Sequence, residues 1–174
     1  MSSRAAFACT LAGGLLLVAA CDTKLATTEA ASPGRPQLHS SALAVSADGT
    51  RLYVTHPDAD SVSQLSTLNG QILHEQLLAA SAPKRDAAGR YEPSVGPRAL
   101  ALNTAGDRLY VTGQRSGHVY ALDAATLAVQ NDVFVCAEPM GVLLSADDAS
   151  VFVACAQDDQ VVQDRTRADV ARYA

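Results

Sequence analysis

Apolar positions in this chain come in short blocks separated by turns of Asp, Gly, Ala and Ser, and the blocks repeat. The segment Ala42-Leu-Ala-Val-Ser-Ala-Asp-Gly-Thr-Arg-Leu-Tyr-Val-Thr55 returns as Ala99-Leu-Ala-Leu-Asn-Thr-Ala-Gly-Asp-Arg-Leu-Tyr-Val-Thr112. A looser copy runs Gly141-Val-Leu-Leu-Ser-Ala-Asp-Asp-Ala-Ser-Val-Phe-Val-Ala154. Each copy predicts a hairpin: a short apolar strand (Leu43 to Val45, Leu100 to Leu102, Val142 to Leu144), a tight turn, and a second strand carrying Leu-Tyr-Val or Val-Phe-Val. Asp48-Gly49 and Ala105-Gly106-Asp107 supply residues that tolerate the positive φ such turns require. The near-continuous apolar character of the strands suits a sheet covered on both faces rather than one side facing water.

The aromatic of each copy falls at Tyr53, Tyr110 and Phe152, giving spacings of 57 and 42 residues. A period of roughly 40–45 residues is that of a four-stranded propeller blade. Residues 80–97, a polar stretch bearing Pro and Gly, account for the longer first interval as an inserted loop. Third strands are expected at Ser61–Leu65 and Gly117–Asp123, and fourth strands at Gln71–His74 and Leu127–Val135. The fold class expected is therefore all-β, an incomplete β-propeller of about two and a half blades, at about 41–78, 98–135 and 140–163.

Arg51-Leu-Tyr-Val-Thr55, Arg108-Leu-Tyr-Val-Thr112 and Val119-Tyr-Ala-Leu-Asp123, with Pro139-Met-Gly141 opening the third copy, resemble the repeat of the YVTN-type, or YncE-like, seven-bladed propellers. The resemblance covers about residues 38–163. It implies a fold and leaves function open, because such propellers host many roles. The chain departs from the family in number of blades, since a closed propeller takes about four to eight. After Gln160-Val-Val-Gln163 the pattern stops, and 164–174 form a charged, non-repeat tail. An open arc exposes the faces and edges of its terminal blades. A fragment or shortened reading frame, self-association through the open blade edges, and a partial propeller capped by its tail would each account for this.

The first twenty residues belong to a different pattern. Arg4 precedes an uncharged stretch from Ala5 to Ala20, ending Val18-Ala-Ala-Cys21. A positive end, an apolar core and small closing residues read as an export signal; the stretch is short for the roughly 20 residues of a membrane span. Val18-Ala-Ala-Cys21 resembles the bacterial lipobox, which implies a signal helix ending at Ala20, a lipid on Cys21 and attachment to the outer side of a bacterial cell membrane. Residues 21–40 lack any apolar period and read as a flexible tether. The chain has 18 acidic and 13 basic residues, net charge −5, and no Trp; these argue against nucleic acid as a partner.

The candidate chemistry is sparse. With Cys9 in the leader and Cys21 acylated, Cys136 and Cys155 remain, at the two ends of the third hairpin. A disulfide is expected there, with free buried thiols or a metal site as alternatives. His56 stands at the repeat position of Gly113 and Cys155, near a blade end where propellers bind ligands, so it is a possible ligand-end position; a polar loop residue is the plainer reading. Asp58, Asp60, Asp147, Asp148, Asp158 and Asp159 recur with the turns, which favours turn formation and solubility over calcium or acid–base work. No nucleophile elbow, phosphate loop or dinucleotide fingerprint is present, and no catalytic residue, cofactor or metal is implied. The expectation is a non-catalytic envelope lipoprotein presenting a binding surface. The alternative is part of a propeller enzyme or redox protein, lactonase-like, quinoprotein-like or joined to a haem peroxidase-like domain.

Overall fold

The computed structural model describes residues 42–165, so the expected signal, Cys21 and tether lie outside the described residues, as do residues 166–174. Three antiparallel meanders follow one another. The first is β1 (Leu43–Val45), β2 (Arg51–His56), β3 (Ser61–Ser66) and β4 (Ile72–Leu77), in that spatial order. A small hairpin of β5 (Lys84–Arg85) and β6 (Tyr91–Glu92) comes next. The second meander is β7 (Pro97–Leu102), β8 (Arg108–Gly113), β9 (His118–Asp123) and β10 (Val129–Phe134). The third has three strands, β11 (Pro139–Leu144), β12 (Ser150–Cys155) and β13 (Gln160–Arg165). The last strand thus runs two residues past Gln163, where the apolar pattern stops, because its backbone keeps pairing as far as Ser150 with Arg165.

The turns show why the repeat reads as it does. In the β1–β2, β7–β8 and β11–β12 hairpins, the first turn residue is Ser46, Asn103 or Ser145. Its side chain accepts an amide of the returning strand, from Arg51 (3.0 Å), Arg108 (3.0 Å) or Ser150 (2.9 Å). The fourth turn position takes positive φ in all three: Gly49 (70°), Gly106 (72°) and Asp148 (55°). Glycine meets that geometry without steric cost, and Asp is among the few other residues that adopt it readily.

Register explains the burial. Strand neighbours alternate between two faces, and the second sheet turns one face toward the first sheet and the other toward the third. Ala44, Tyr53 and Val62 of the first sheet meet Leu100, Leu109, Val111, Tyr120 and Leu122 of the second in one core. Ala101, Tyr110 and Val119, on the second sheet's other face, meet Val142, Leu144, Val151 and Val153 of the third. The middle sheet is therefore covered on both sides, which is what its continuous apolar strands require.

A buried polar contact joins the first two sheets. Tyr53 Oη and Gln64 Nε2, both on fully buried side chains, donate to the carbonyl of Ala124 at 2.9 and 2.7 Å. Leu127, three residues on, is wholly buried with φ at 60°, so its side chain packs in the core although its backbone sits where bulky residues are uncommon.

Candidate functional site

The β2–β3, β8–β9 and β12–β13 turns share one end of the sheets with the connections from each sheet to the next. In each of these turns the fourth residue has positive φ: Asp60 (53°), Gly117 (78°) and Asp159 (48°). The residue before each later sheet does too: Gly96 (58°) before Pro97 and Glu138 (54°) before Pro139. The carbonyls of Gly96 and Glu138 then accept the amides of Gln114 (2.9 Å) and Ala156 (3.1 Å), fastening turn to connection.

Asp60 organises the first such junction. It is 1% exposed, and its carboxylate accepts the amides of Ser94 (2.7 Å), Val95 (3.0 Å) and Gly96 (2.7 Å) and the Ser94 hydroxyl (3.1 Å). A buried carboxylate is tolerated only with such a set of donors. Here the donors are the backbone of the inserted segment, so Asp60 pins that segment to the first sheet. Expected as a polar inserted loop, residues 80–97 contain the β5–β6 hairpin. Its turn closes on Asp86, which accepts the amides of Ala88 and Arg90 and pairs with the Arg90 guanidinium at 2.8 Å. Accepting these bonds holds the Asp86 carboxyl below the ordinary range, with the Arg90 amide contributing most.

Two clefts open at this end. One, of about 480 Å³, lies between the first sheet and the inserted hairpin and is lined by Asp58, Ser61, Glu75, Leu77, Pro83 and Tyr91. Ser61 donates to Glu75 at 2.9 Å, and the Arg85 guanidinium lies 4.4 Å over the Tyr91 ring. The cleft is acidic with apolar walls. The other, of about 640 Å³, lies where the turns of the second and third sheets meet, and Gln114, Arg115, Ser116, Phe134, Glu138 and Gln157 line it. It combines amide, hydroxyl, guanidinium and carboxylate groups with one aromatic ring. Behind it, His118 Nδ1 lies 2.9 Å from Asp132 and its ring meets Phe134 edge-on at 5.7 Å.

The second cleft is braced by Cys136 and Cys155, which are bonded to each other, both 4% exposed, tying the connection after β10 to the end of β12. Gly113 and Gly117 permit the close packing around it. A Cβ at Gly113 would lie against Ser116 Oγ, 2.9 Å from Val95 and 3.0 Å from Tyr120, and one at Gly117 would lie 2.7 Å from the Cys136 carbonyl.

His56 lines neither of these clefts: it ends β2 half-buried, with Nε2 2.9 Å from Ser63 Oγ. The aspartates divide. Asp147 accepts Ser145 Oγ and the Ala149 amide within its own turn, which lowers its pKa, the hydroxyl contributing most. Asp148 reaches the Thr104 amide of the neighbouring sheet at 2.8 Å, and Asp158 accepts the Ala137 amide at 3.2 Å. For Asp60 the reading as a solvated turn residue is corrected: it is an internal anchor. The signal was its alignment with Gly117, which marks a position needing positive φ, next to an insertion with backbone donors to satisfy. Among the described residues there is no group of three or more His, Cys, Asp and Glu placed to hold a metal.

No family model and no curated protein matches the sequence. Solved structures do. Hydrazine synthase of Kuenenia stuttgartiensis is similar with a TM-score of 0.62 and 21% identity over 82% of this chain and 38% of that one. The periplasmic gluconolactonase of Pseudomonas aeruginosa gives 0.60 and 24%, over 81% and 40%. A putative 6-phosphogluconolactonase of Bacteroides fragilis gives 0.57 and 14%, over 79% and 38%. The chain thus spans about two fifths of the length of these structures. At this level of identity the likeness concerns the fold, and the chain is an all-β partial propeller similar in architecture to these gluconolactonase-like and hydrazine synthase chains.

Proposed function

We propose that this chain is the propeller part of an envelope lipoprotein of the YVTN, or YncE-like, type. It is anchored through a lipid on Cys21 and presents the turn end of its sheets as a non-catalytic binding surface for a polar ligand. One observation carries this reading: Asp60, His56 and the two cysteines, which the sequence offered as candidate chemistry at that end, are engaged in holding the fold. The Asp60 carboxylate is taken up by four donors, His56 by Ser63, and the two cysteines by each other. What faces the larger cleft is a hydrogen-bonding set, Gln114, Arg115, Ser116, Glu138 and Gln157, beside Phe134. Such a lining suits a small, polyhydroxylated or carboxylate-bearing molecule. Replacing Cys21 by Ser should move the protein from the membrane fraction to the soluble exported fraction; continued membrane association would refute the anchor.

A second reading is that the chain is part of a lactone hydrolase, and the similarity to gluconolactonases favours it. Titrating acid release from gluconolactone in the presence of the purified chain separates the two. The binding reading expects the buffer rate, and saturable turnover above it would replace that reading with the hydrolase.

A further inference from the structure

We propose that the cleft between the turns of the second and third sheets binds a small zwitterion of the amino-acid class. The ligand's carboxylate lies toward Arg115 and the Glu138 amide, and its ammonium toward the Glu138 carboxylate and the Phe134 ring. This rests on the reading of that cleft as a ligand site and names the chemistry it selects.

The joint between the first and second sheets and that between the second and third follow one plan, and they differ where an anion sits. His56 pairs with Ser61 as Gly113 pairs with His118, so Asp60 and Gly117 hold the same position in their turns. Gly96 before Pro97 likewise matches Glu138 before Pro139, both with positive φ. In the first joint the Asp60 carboxylate takes up the amides of Ser94, Val95 and Gly96. Gly117 brings no carboxylate to the second joint. There the amide of Cys136 donates to the Gly117 carbonyl at 3.4 Å and that of Ala137 to Asp158 at 3.2 Å. The Glu138 amide, counterpart of the Gly96 amide, has no acceptor among the described residues. A Cβ at Gly117 would lie 2.5 Å from the Phe134 ring, so an aspartate cannot replace this glycine without displacing that ring.

The charges on the walls point the same way. Arg115 and Glu138 line one cleft, yet they form no ion pair with each other or with any other described residue. At the equivalent positions of the first joint stand Asp58 and Gly96, so this opposed pair belongs to the second joint alone among the two. A ligand of one charge would match one wall and oppose the other. A zwitterion meets both, each through charge-assisted hydrogen bonds. Glu138 offers an amide donor and a carboxylate acceptor from a single residue, which suits a carboxylate and an ammonium carried on one carbon. Phe134 adds an aromatic face of the kind that attracts an ammonium. Its ring is met edge-on by His118, which in turn lies against Asp132. Gln114, Ser116 and Gln157 remain to hydrogen-bond a polar side chain of the ligand. The Cys136–Cys155 bond fixes the connection that carries Glu138, so this wall is formed before the ligand arrives.

The test uses L-glutamine and two analogues, glutaramate, which lacks the ammonium, and γ-aminobutyramide, which lacks the carboxylate; gluconate is the fourth probe. Each is titrated by calorimetry into the full chain carrying Cys21→Ser, with circular dichroism to check folding of every variant. The expected result is saturable binding of L-glutamine, roughly tenfold or more tighter than either analogue, since each analogue leaves one wall unmatched. Arg115→Gln should abolish the preference over γ-aminobutyramide and keep that over glutaramate. Glu138→Gln should do the reverse. A change of shape alone would not separate the two preferences in this way. L-glutamine bound no more tightly than either analogue, or preferences that neither variant moves, would overturn the proposal. Binding of gluconate in place of L-glutamine would overturn it and leave the polar-ligand reading standing, whereas failure of all four probes to bind would remove both.

Discussion

Asp60 has left-handed backbone geometry, is buried, and gives both carboxylate oxygens to backbone amides of residues 94–96. Asp60→Asn keeps a residue that accepts positive φ but turns an NH2 group toward donors. The expected cost is about 2 kcal/mol in denaturant unfolding, with faster amide exchange across residues 80–97; exchange unchanged there would count against the anchoring role. Asp48 behaves differently because it is exposed. The Ser46 hydroxyl at 2.5 Å and then the Thr50 amide at 3.0 Å and hydroxyl hold its pKa down from 3.8 to about 2. Lowering in the folded state means that Asp48 stabilises the fold above its unfolded pKa and loses that contribution as pH falls toward about 2. Its carboxyl carbon should titrate in that range by NMR, and Ser46→Ala should move the midpoint up toward the ordinary value. Both aspartates look alike in the sequence, each beside a turn. Only the distant donors from Ser94 to Gly96 set Asp60 apart, and periodicity does not reveal contacts of that range.

At the level of strands and turns, the apolar blocks carried nearly all the information. Leu-Tyr-Val and its copies mark the second strand of each sheet, and Ser-Ala-Asp-Gly, Asn-Thr-Ala-Gly and Ser-Ala-Asp-Asp mark the turns whose first side chain accepts the returning amide. The β5–β6 hairpin was not legible, since two-residue strands exposed on both sides have no apolar alternation to read. Nor was the sharing of one carbonyl, that of Ala124, by Tyr53 and Gln64, which depends on how neighbouring sheets pack. The Cys136–Cys155 bond closes a loop spanning 19 positions and ties the connection after β10 to the end of β12. Reduction, or Cys155→Ser, should lower stability by roughly 3 kcal/mol in the chain-entropy estimate. The loss should fall first on β11–β13, read as a drop in amide protection there while the first sheet keeps its own. Uniform loss over all three sheets would show instead that the arc unfolds as one unit.

At the scale of the whole molecule, each sheet depends on its neighbours for cover, as in other repeat architectures where stability sums over adjacent interfaces. The middle sheet has two covered faces and should be the last to open, so its β8 amides should exchange most slowly of those described. The hydrogen bond from Tyr53 to Ala124 spans 71 residues. A chain emerging from its N-terminal end therefore makes the strands of its first sheet long before the surface that buries Tyr53 and Val62 exists. Until the turn around Ala124 and Leu127 arrives, those two side chains remain available to any factor that holds unfolded polypeptide. The repeat that makes the fold easy to recognise thus also imposes a wait, and the order in which the sheets appear sets how long the first must be chaperoned.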